Sequence, residues 1–264
     1  MSPGPRPDWQ LPTGVSRGLS DYIDSDHIAD DYDEFFALTS LFEFDEAVLA
    51  RHFTPPGLVV DLGCGTGRAL IPLVRKGFRG LGVDLSTAML RIVQEKADID
   101  SLQVDLVQAN LVELDAIANS VADYAICLFS TLGMISGREN RARAIAHMFR
   151  ILKPGGRAVL HVHNVWNNLF DPLGRRFLFK HLPAAMLRRS VEFGDKVMPY
   201  RGIPNMYLHS FTRGELSGEL RKAGFGIVEL IPLSPTRQHE LSHRWFLPRL
   251  RANGWVVVVE RPRT

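Results

Sequence analysis

A chain of 264 residues can bury a full core, and its 45% hydrophobic and 23% charged residues suit a soluble globular protein. With 31 basic against 29 acidic residues there is no overall field to draw it onto nucleic acid. Two cysteines, Cys64 and Cys127, exclude a disulfide framework, and no apolar run approaches membrane-spanning length.

The opening Met1-Ser2-Pro3-Gly4-Pro5-Arg6-Pro7 lacks the apolar stretch of a secretory leader, so a cytoplasmic protein is expected, with residues 1–17 disordered or extended. From Asp21 to His52, apolar residues such as Ile28, Tyr32, Phe36, Leu38, Leu41 and Val48 recur at helical intervals, predicting one or two helices. Strands are predicted over 57–61, 80–84, 102–108, 123–129 and 157–163. Helices are predicted between them over 66–76, from Ser86 to about Glu95 and over 138–152, with a short helical turn at 111–118. This alternation implies a parallel sheet with right-handed crossovers. Residues 164–205, broken by Pro172, Gly174, Pro183, Pro199 and Pro204, read as an insertion with one helix near Leu182 to Arg189. Thr212 then caps a helix ending at Gly224, and strands follow over 225–233 and 255–260. The whole reads as one domain over 18–264, with a core at 57–163, the insertion, and a C-terminal portion at 206–264.

The functional signal lies at the end of the first strand, in Asp61-Leu62-Gly63-Cys64-Gly65-Thr66-Gly67. Three alternating glycines at a strand-to-helix turn let a ligand touch bare backbone, and Asp84 stands seventeen residues beyond Gly67 at the tip of the next strand. A dinucleotide dehydrogenase places its third glycine one step later, where Arg68 stands. A phosphate-binding loop ends in Gly-Lys-Ser/Thr, unlike Gly67-Arg68-Ala69. The motif resembles that of class I S-adenosylmethionine-dependent methyltransferases, which Asp61, Gly63, Gly65 and Gly67 match position by position. Leu152-Lys153-Pro154-Gly155-Gly156 is similar to a structural turn of the same family. The resemblance covers residues 57–163. It implies a Rossmann-like α/β fold, a doubly wound and mostly parallel seven-stranded sheet whose last strand is antiparallel.

It also implies S-adenosylmethionine as cofactor, bound by Asp61, Gly63, Cys64, Gly65, Gly67, Asp84, Leu85, Asn110, Leu111, Leu128 and Phe129. Asp84 would accept from the ribose hydroxyls. Asn110 stands where an acidic residue is common and would meet adenine. The implied reaction is in-line displacement at the sulfonium methyl, where alignment alone contributes up to ~7–11 kcal/mol. His163 is the candidate base, a role worth ~10²–10⁴-fold, although His161 and His163 read equally well as ordinary strand residues. No metal is implied.

The acceptor is expected to be a small molecule. Ile126-Cys127-Leu128 and His161-Val162-His163-Asn164 are loosely similar to glycine and amine methyltransferases, while the Asn/Asp-Pro-Pro-aromatic tetrapeptide of DNA amino-methyltransferases is absent. Tyr32, Asn164, Arg175, Arg176, Tyr200 and His209 are candidate substrate residues. Asp30-Asp31-Tyr32-Asp33 would favour a cationic amine, and the basic insertion a carboxylate or phosphate. Two alternatives stand beside this. Tyr207 to Leu216 and Asn253 to Val257 resemble tRNA wobble-uridine methyltransferases, in which Arg237, Arg244, Arg249 and Arg251 would track phosphates. A non-catalytic binding module keeping the cofactor fold is the other.

Overall fold

The computed structural model describes residues 7–37, 41–187 and 192–263. Leu38, and the Arg188–Arg189 end expected for the insertion helix, lie outside them. After a 3-10 turn at Asp8–Gln10 come four short helices, α1 (Arg17–Ile23), α2 (Asp26–Asp30), α3 (Tyr32–Ala37) and α4 (Leu41–His52). The periodicity predicts fewer and longer ones. Ser16 caps α1 by accepting from the Leu19 N–H, and Asp24 and Asp31 sit at the C-caps where the chain breaks step.

The alternating core follows as β1 (Leu58–Leu62), α5 (Leu70–Arg75), β2 (Arg79–Asp84), α6 (Thr87–Ile99), β3 (Val104–Gln108), β4 (Ala122–Cys127), α7 (Thr131–Met134), α8 (Arg138–Ile151) and β5 (Leu152–His163). Residues 66–69 form a turn rather than the first turn of α5, and 111–118 hold turns without a helix. Beyond β5 come α9 (Pro172–Leu187) and an antiparallel hairpin of β6 (Asp195–Tyr200) and β7 (Ile203–His209). The hairpin is absent from the sequence reading, whose boundary at 205 falls inside β7. The chain closes with α10 (Arg213–Lys222), β8 (Gly226–Pro232), α11 (Pro248–Arg251) and β9 (Gly254–Glu260).

Seven strands form one sheet in the order β3-β2-β1-β4-β5-β9-β8. The first five are parallel, and β9 runs antiparallel to both β5 and β8. Alternate residues feed two cores, because successive strand side chains point to opposite faces. Val60, Ala125, Leu160 and Val257 meet Ile145 and Met148 of α8 and Leu216 and Leu220 of α10 on one face. Val59, Ile126, Val159 and Val258 meet Val48 and Leu49 of α4 and Leu70 and Leu73 of α5 on the other. A third cluster joins α1, α2, α6 and the hairpin through Leu19, Ile28, Met89, Ile203 and Met206. It sets the N-terminal helices and the hairpin over one end of the sheet.

Candidate active site

Strand order reverses between β1 and β4, and ligands of open α/β sheets bind outside the carboxyl ends of strands at such a point. There β1 runs into the glycine turn. Gly63 and Cys64 N–H groups donate to Val83 O (2.8 and 3.0 Å), and the Gly65 N–H donates to Asp84 Oδ2 (2.9 Å). The Ser86 N–H donates to Asp84 Oδ1 (2.9 Å), so backbone donors fix both carboxylate oxygens. Burial raises the pKa of Asp84, opposed by the N–H groups of Ser86, Gly65 and Leu85. Asp61, 3% exposed, has its pKa raised by burial and then by Asp84, and its carboxylate takes no hydrogen bond among the described residues.

The three glycines differ in purpose. All have positive φ, but a Cβ on Gly63 would lie 2.3 Å from Thr131 Cγ2, and one on Gly67 would meet Val93 and Ile71 at 3.1–3.2 Å. A Cβ on Gly65 would meet nothing within 4 Å, beside the cavity that Gly65 lines. Gly67 therefore serves helix packing, while Gly63 and Gly65 border the cavity.

Two adjoining chambers open here, enclosing about 1060 and 900 Å³ including their mouths. The first gathers Asp61, Gly63, Cys64, Gly65, Asp84, Leu85, Asn110, Leu111, Leu128 and Phe129, together with Tyr32. Asn110 reaches this wall with its amide already engaged. Its Oδ1 accepts from the Val112 N–H (3.1 Å) and its Nδ2 donates to Thr13 O (2.9 Å), which ties down the Pro- and Gly-rich start. Gly14 and Val15 of that start line the chamber as well. The second chamber holds His161, His163, Tyr200, Met198, Met206, Tyr207, Leu208 and Arg237. Tyr22, Tyr32, Phe129 and Met134 border both.

Phe129 (φ 53°) and Ser130 (φ 60°) are consecutive non-glycine residues in the left-handed region, a strained pairing at the end of β4. The Ser130 N–H donates to His161 O (2.8 Å) and Ser130 Oγ accepts from the His163 N–H (2.9 Å), joining the bend to β5. This brings Phe129 between the chambers. His161 and His163, two apart on one strand, share a face and a cavity, with ring centroids 6.4 Å apart. Burial first, and then the neighbouring His161, Arg237 and Lys196 side chains, push His163 down to about 3, so its imidazole is neutral. Burial pushes the Tyr22, Tyr32 and Tyr200 phenols up, which keeps them as O–H donors.

Four sequence candidates lie elsewhere. Asn164 is 1% exposed, its Nδ2 donating to Arg249 O (3.0 Å) and Ala252 O (2.7 Å), and it holds the loop before β9. Arg175 and Arg176 are exposed on α9 and border neither chamber. His209 is fully buried, with Nδ1 on Asp195 Oδ1 (2.6 Å) and Nε2 on Glu215 Oε1 (2.9 Å). Burial opposes its charge, but the two carboxylates prevail and raise its pKa. Glu192, Asp195 and His209 offer ligand-type atoms within 4.8 Å of one another. Arg141 on Glu192, the Tyr207 hydroxyl on Asp195 (2.6 Å) and Glu215 on His209 make it a hydrogen-bonded brace between hairpin and α10.

The acidic segment expected to attract an amine is likewise engaged. Asp30 pairs with Arg91 (2.7 Å), Asp31 with Arg201, and Asp33 with Lys96 and the Thr66 hydroxyl (2.7 Å). Residues missed as site members are Tyr22, Met134, Asp45 and His161. Only His161 had a usable signal, its strand parity with His163.

Residues 59–156 match the family described as methyltransferase domain. A putative methyltransferase of Geobacillus sp. (strain WCH70) is 29% identical over 108 residues, 41% of this chain and 43% of that one. The chain thus spans less than half the length of the curated relatives it matches first. The ubiquinone biosynthesis O-methyltransferase of Psychrobacter arcticus is 26% identical over 208 residues, 78% of this chain and 72% of the relative. Among solved structures, a SAM-dependent methyltransferase from Methanosarcina mazei superimposes with TM-score 0.66 at 22% identity, covering 82% of this chain and 98% of the other. The 1,6-didemethyltoxoflavin-N1-methyltransferase of Burkholderia thailandensis, solved with S-adenosylhomocysteine, gives 0.61 at 20% identity, over 92% and 86%. Together with the glycine turn and the strand order, these matches show that the chain carries the core and the fold of the class I S-adenosylmethionine-dependent methyltransferases.

Proposed function

We propose that the protein transfers the methyl group of S-adenosylmethionine to a small-molecule acceptor. The observation that carries this reading is the pair of chambers divided by Phe129, one bounded by the glycine turn and Asp84, the other by aromatic and histidine side chains. The first chamber fits the cofactor on its own residues. Gly65 leaves open the space that a Cβ would fill, and Asp61 presents a buried carboxylate without a hydrogen-bond partner among the described residues.

Asp84, held by two backbone N–H groups, has lone pairs left for a hydroxyl pair, and Asp61 suits an ammonium. Leu85 and Leu111 supply apolar walls. S-adenosylmethionine, when bound, supplies an activated methyl group. The chain aligns the acceptor against it and keeps water out, chiefly through Tyr22, Tyr32, Phe129 and Met134. Relatives named for ubiquinone biosynthesis and for a toxoflavin precursor act on small molecules, which supports an acceptor of that size.

Calorimetric titration with S-adenosylhomocysteine tests the reading. Wild type is expected to bind, and Asp84→Ala to bind about tenfold to a hundredfold more weakly, as for loss of a charged hydrogen-bond acceptor. Folded wild type that fails to bind would sink it.

A further inference from the structure

The chamber beyond Phe129 carries two polar groups without a hydrogen-bond partner among the described residues, His161 Nε2 and the Arg237 guanidinium. His161 is 2% exposed, its Nδ1 lies 3.2 Å from Asp45 Oδ2, and its Nε2 has no hydrogen-bond partner among the described residues. Asp45, from α4, is 3% exposed. With Nδ1–H donated to that carboxylate, Nε2 carries the ring's lone pair, since the partner of one imidazole nitrogen sets the state of the other. A native protein rarely leaves such an atom unpaired, and a site for a bound molecule is a common reason when it does.

Arg237 enters from the loop between β8 and α11. Its N–H donates to Ser234 O (2.9 Å), and its φ of 63° lies in the left-handed region. The guanidinium is partly buried at the chamber wall and makes no hydrogen bond or ion pair among the described residues. Burial lowers its pKa while Tyr200 and Asp45 raise it. A partly buried guanidinium without a protein anion on it is free to donate a charge-assisted hydrogen bond to an anionic ligand. Phe129 and Tyr200 give the space flat walls. The acidic helices cannot favour a cation here, because Asp30, Asp31 and Asp33 are already paired.

Resting on the methyl-transfer reading, we propose that this chamber takes an aromatic hydroxy acid, its carboxylate on Arg237 and its hydroxyl giving up its proton to His161, which Asp45 orients. The acceptor O–H bond breaks with its proton passing to Nε2. The oxygen pair so released forms the new oxygen–carbon bond as the carbon–sulfur bond breaks, and that bond's electrons stay on sulfur. The imidazolium remains beside Asp45 until solvent takes the proton. His163 is poorly suited to this step, since its surroundings resist a second positive charge.

The test uses protein saturated with S-adenosylhomocysteine and three phenols that differ in charge, para-hydroxybenzoate, para-hydroxybenzyl alcohol and tyramine. Calorimetry is expected to show para-hydroxybenzoate binding about tenfold or more tightly than the alcohol, with tyramine weakest. Arg237→Gln should erase that margin and leave S-adenosylhomocysteine affinity unchanged. At neutral pH the bound para-hydroxybenzoate should show the absorbance of its doubly ionised phenolate form, lost in His161→Asn and weakened in Asp45→Asn. A packing role for His161 would change stability without touching that band. Equal affinities, preference for tyramine, no binding by any of the three, a margin surviving Arg237→Gln, or wild type without the phenolate band each overturns the proposal. Because S-adenosylhomocysteine binding is read first, its failure is a separate result and overturns the methyl-transfer reading instead.

Discussion

Gly63 and Gly65 make opposite demands on a methyl group. At Gly65, alanine must tolerate φ 51° but collides with no described atom. Gly65→Ala is expected to lose roughly 1–2 kcal/mol of stability and to bind S-adenosylhomocysteine far more weakly, because the new methyl enters the ligand's space. Gly63→Ala drives a carbon to 2.3 Å from Thr131 Cγ2 and should lose more stability than Gly65→Ala. Urea midpoints and calorimetry on the two variants separate the effects. A Gly65→Ala protein with full affinity would contradict the cradle. His209 offers a test by pH. Its folded pKa is raised, so its stabilisation is fully present below the ordinary imidazole value of about 6.5 and is lost as pH rises through the folded value. Asp195 is opposite. Burial raises its pKa, but His209 and Tyr207 lower it further, so its share is lost as pH falls through the acid range. The stability gap between wild type and His209→Gln, from urea midpoints across pH, should therefore be widest in weak acid and narrow towards both extremes.

At the scale of elements, α1 and α2 pack on α6 and the hairpin, and the N-terminal helices reach both chambers through Tyr22 and Tyr32. Tyr22 and Tyr32 border the cavities, and the Ser86 hydroxyl donates to Ile23 O (3.2 Å). The ion pairs that hold them, Asp30–Arg91 and Asp31–Arg201 among them, have one or both side chains exposed, and such pairs contribute about 0–1 kcal/mol each. Hydrogen exchange should accordingly be fast in α1 to α3, slow in β1, β4 and β5, and selectively slowed in α1 to α3 by S-adenosylhomocysteine. Equal protection of helices and strands without ligand would contradict this. The same contrast explains what the sequence made legible. Strands buried on both faces, such as Ala122–Cys127, are near-continuous apolar runs, and Ser86 and Thr212 mark helix starts by caps. The hairpin of β6 and β7 has no such pattern. Burial alternates only in part along it, and its support is the buried His209 network, whose Asp195 is tied through the Tyr207 hydroxyl to Arg141 of α8, 66 positions before Tyr207. The glycine turn and Asp84 were legible because backbone geometry demands those residue types. Asp45, 116 positions from His161, was not, because only the tertiary fold brings them together.

For the whole molecule, β9 is the strand on which both cores depend. Val256 to Val259 are fully buried, and Trp255 is 1% exposed with an indole Nε1 that has no hydrogen-bond partner among the described residues. Trp255→Ala should cost about 3–5 kcal/mol, whereas Trp255→Phe should cost clearly less, since it removes a donor that makes no hydrogen bond. Denaturant midpoints decide, and equal losses would show that the indole nitrogen is satisfied after all. The order β5-β9-β8 also bears on synthesis. A chain that has emerged only as far as α11 displays the full edge of β5, while β8 has no neighbour in the sheet. Its backbone donors and acceptors wait for residues 254–260. The parallel half can assemble as it is made, but the sheet closes only once residues 254–260 have been made, and until then two bare edges invite strands from other chains.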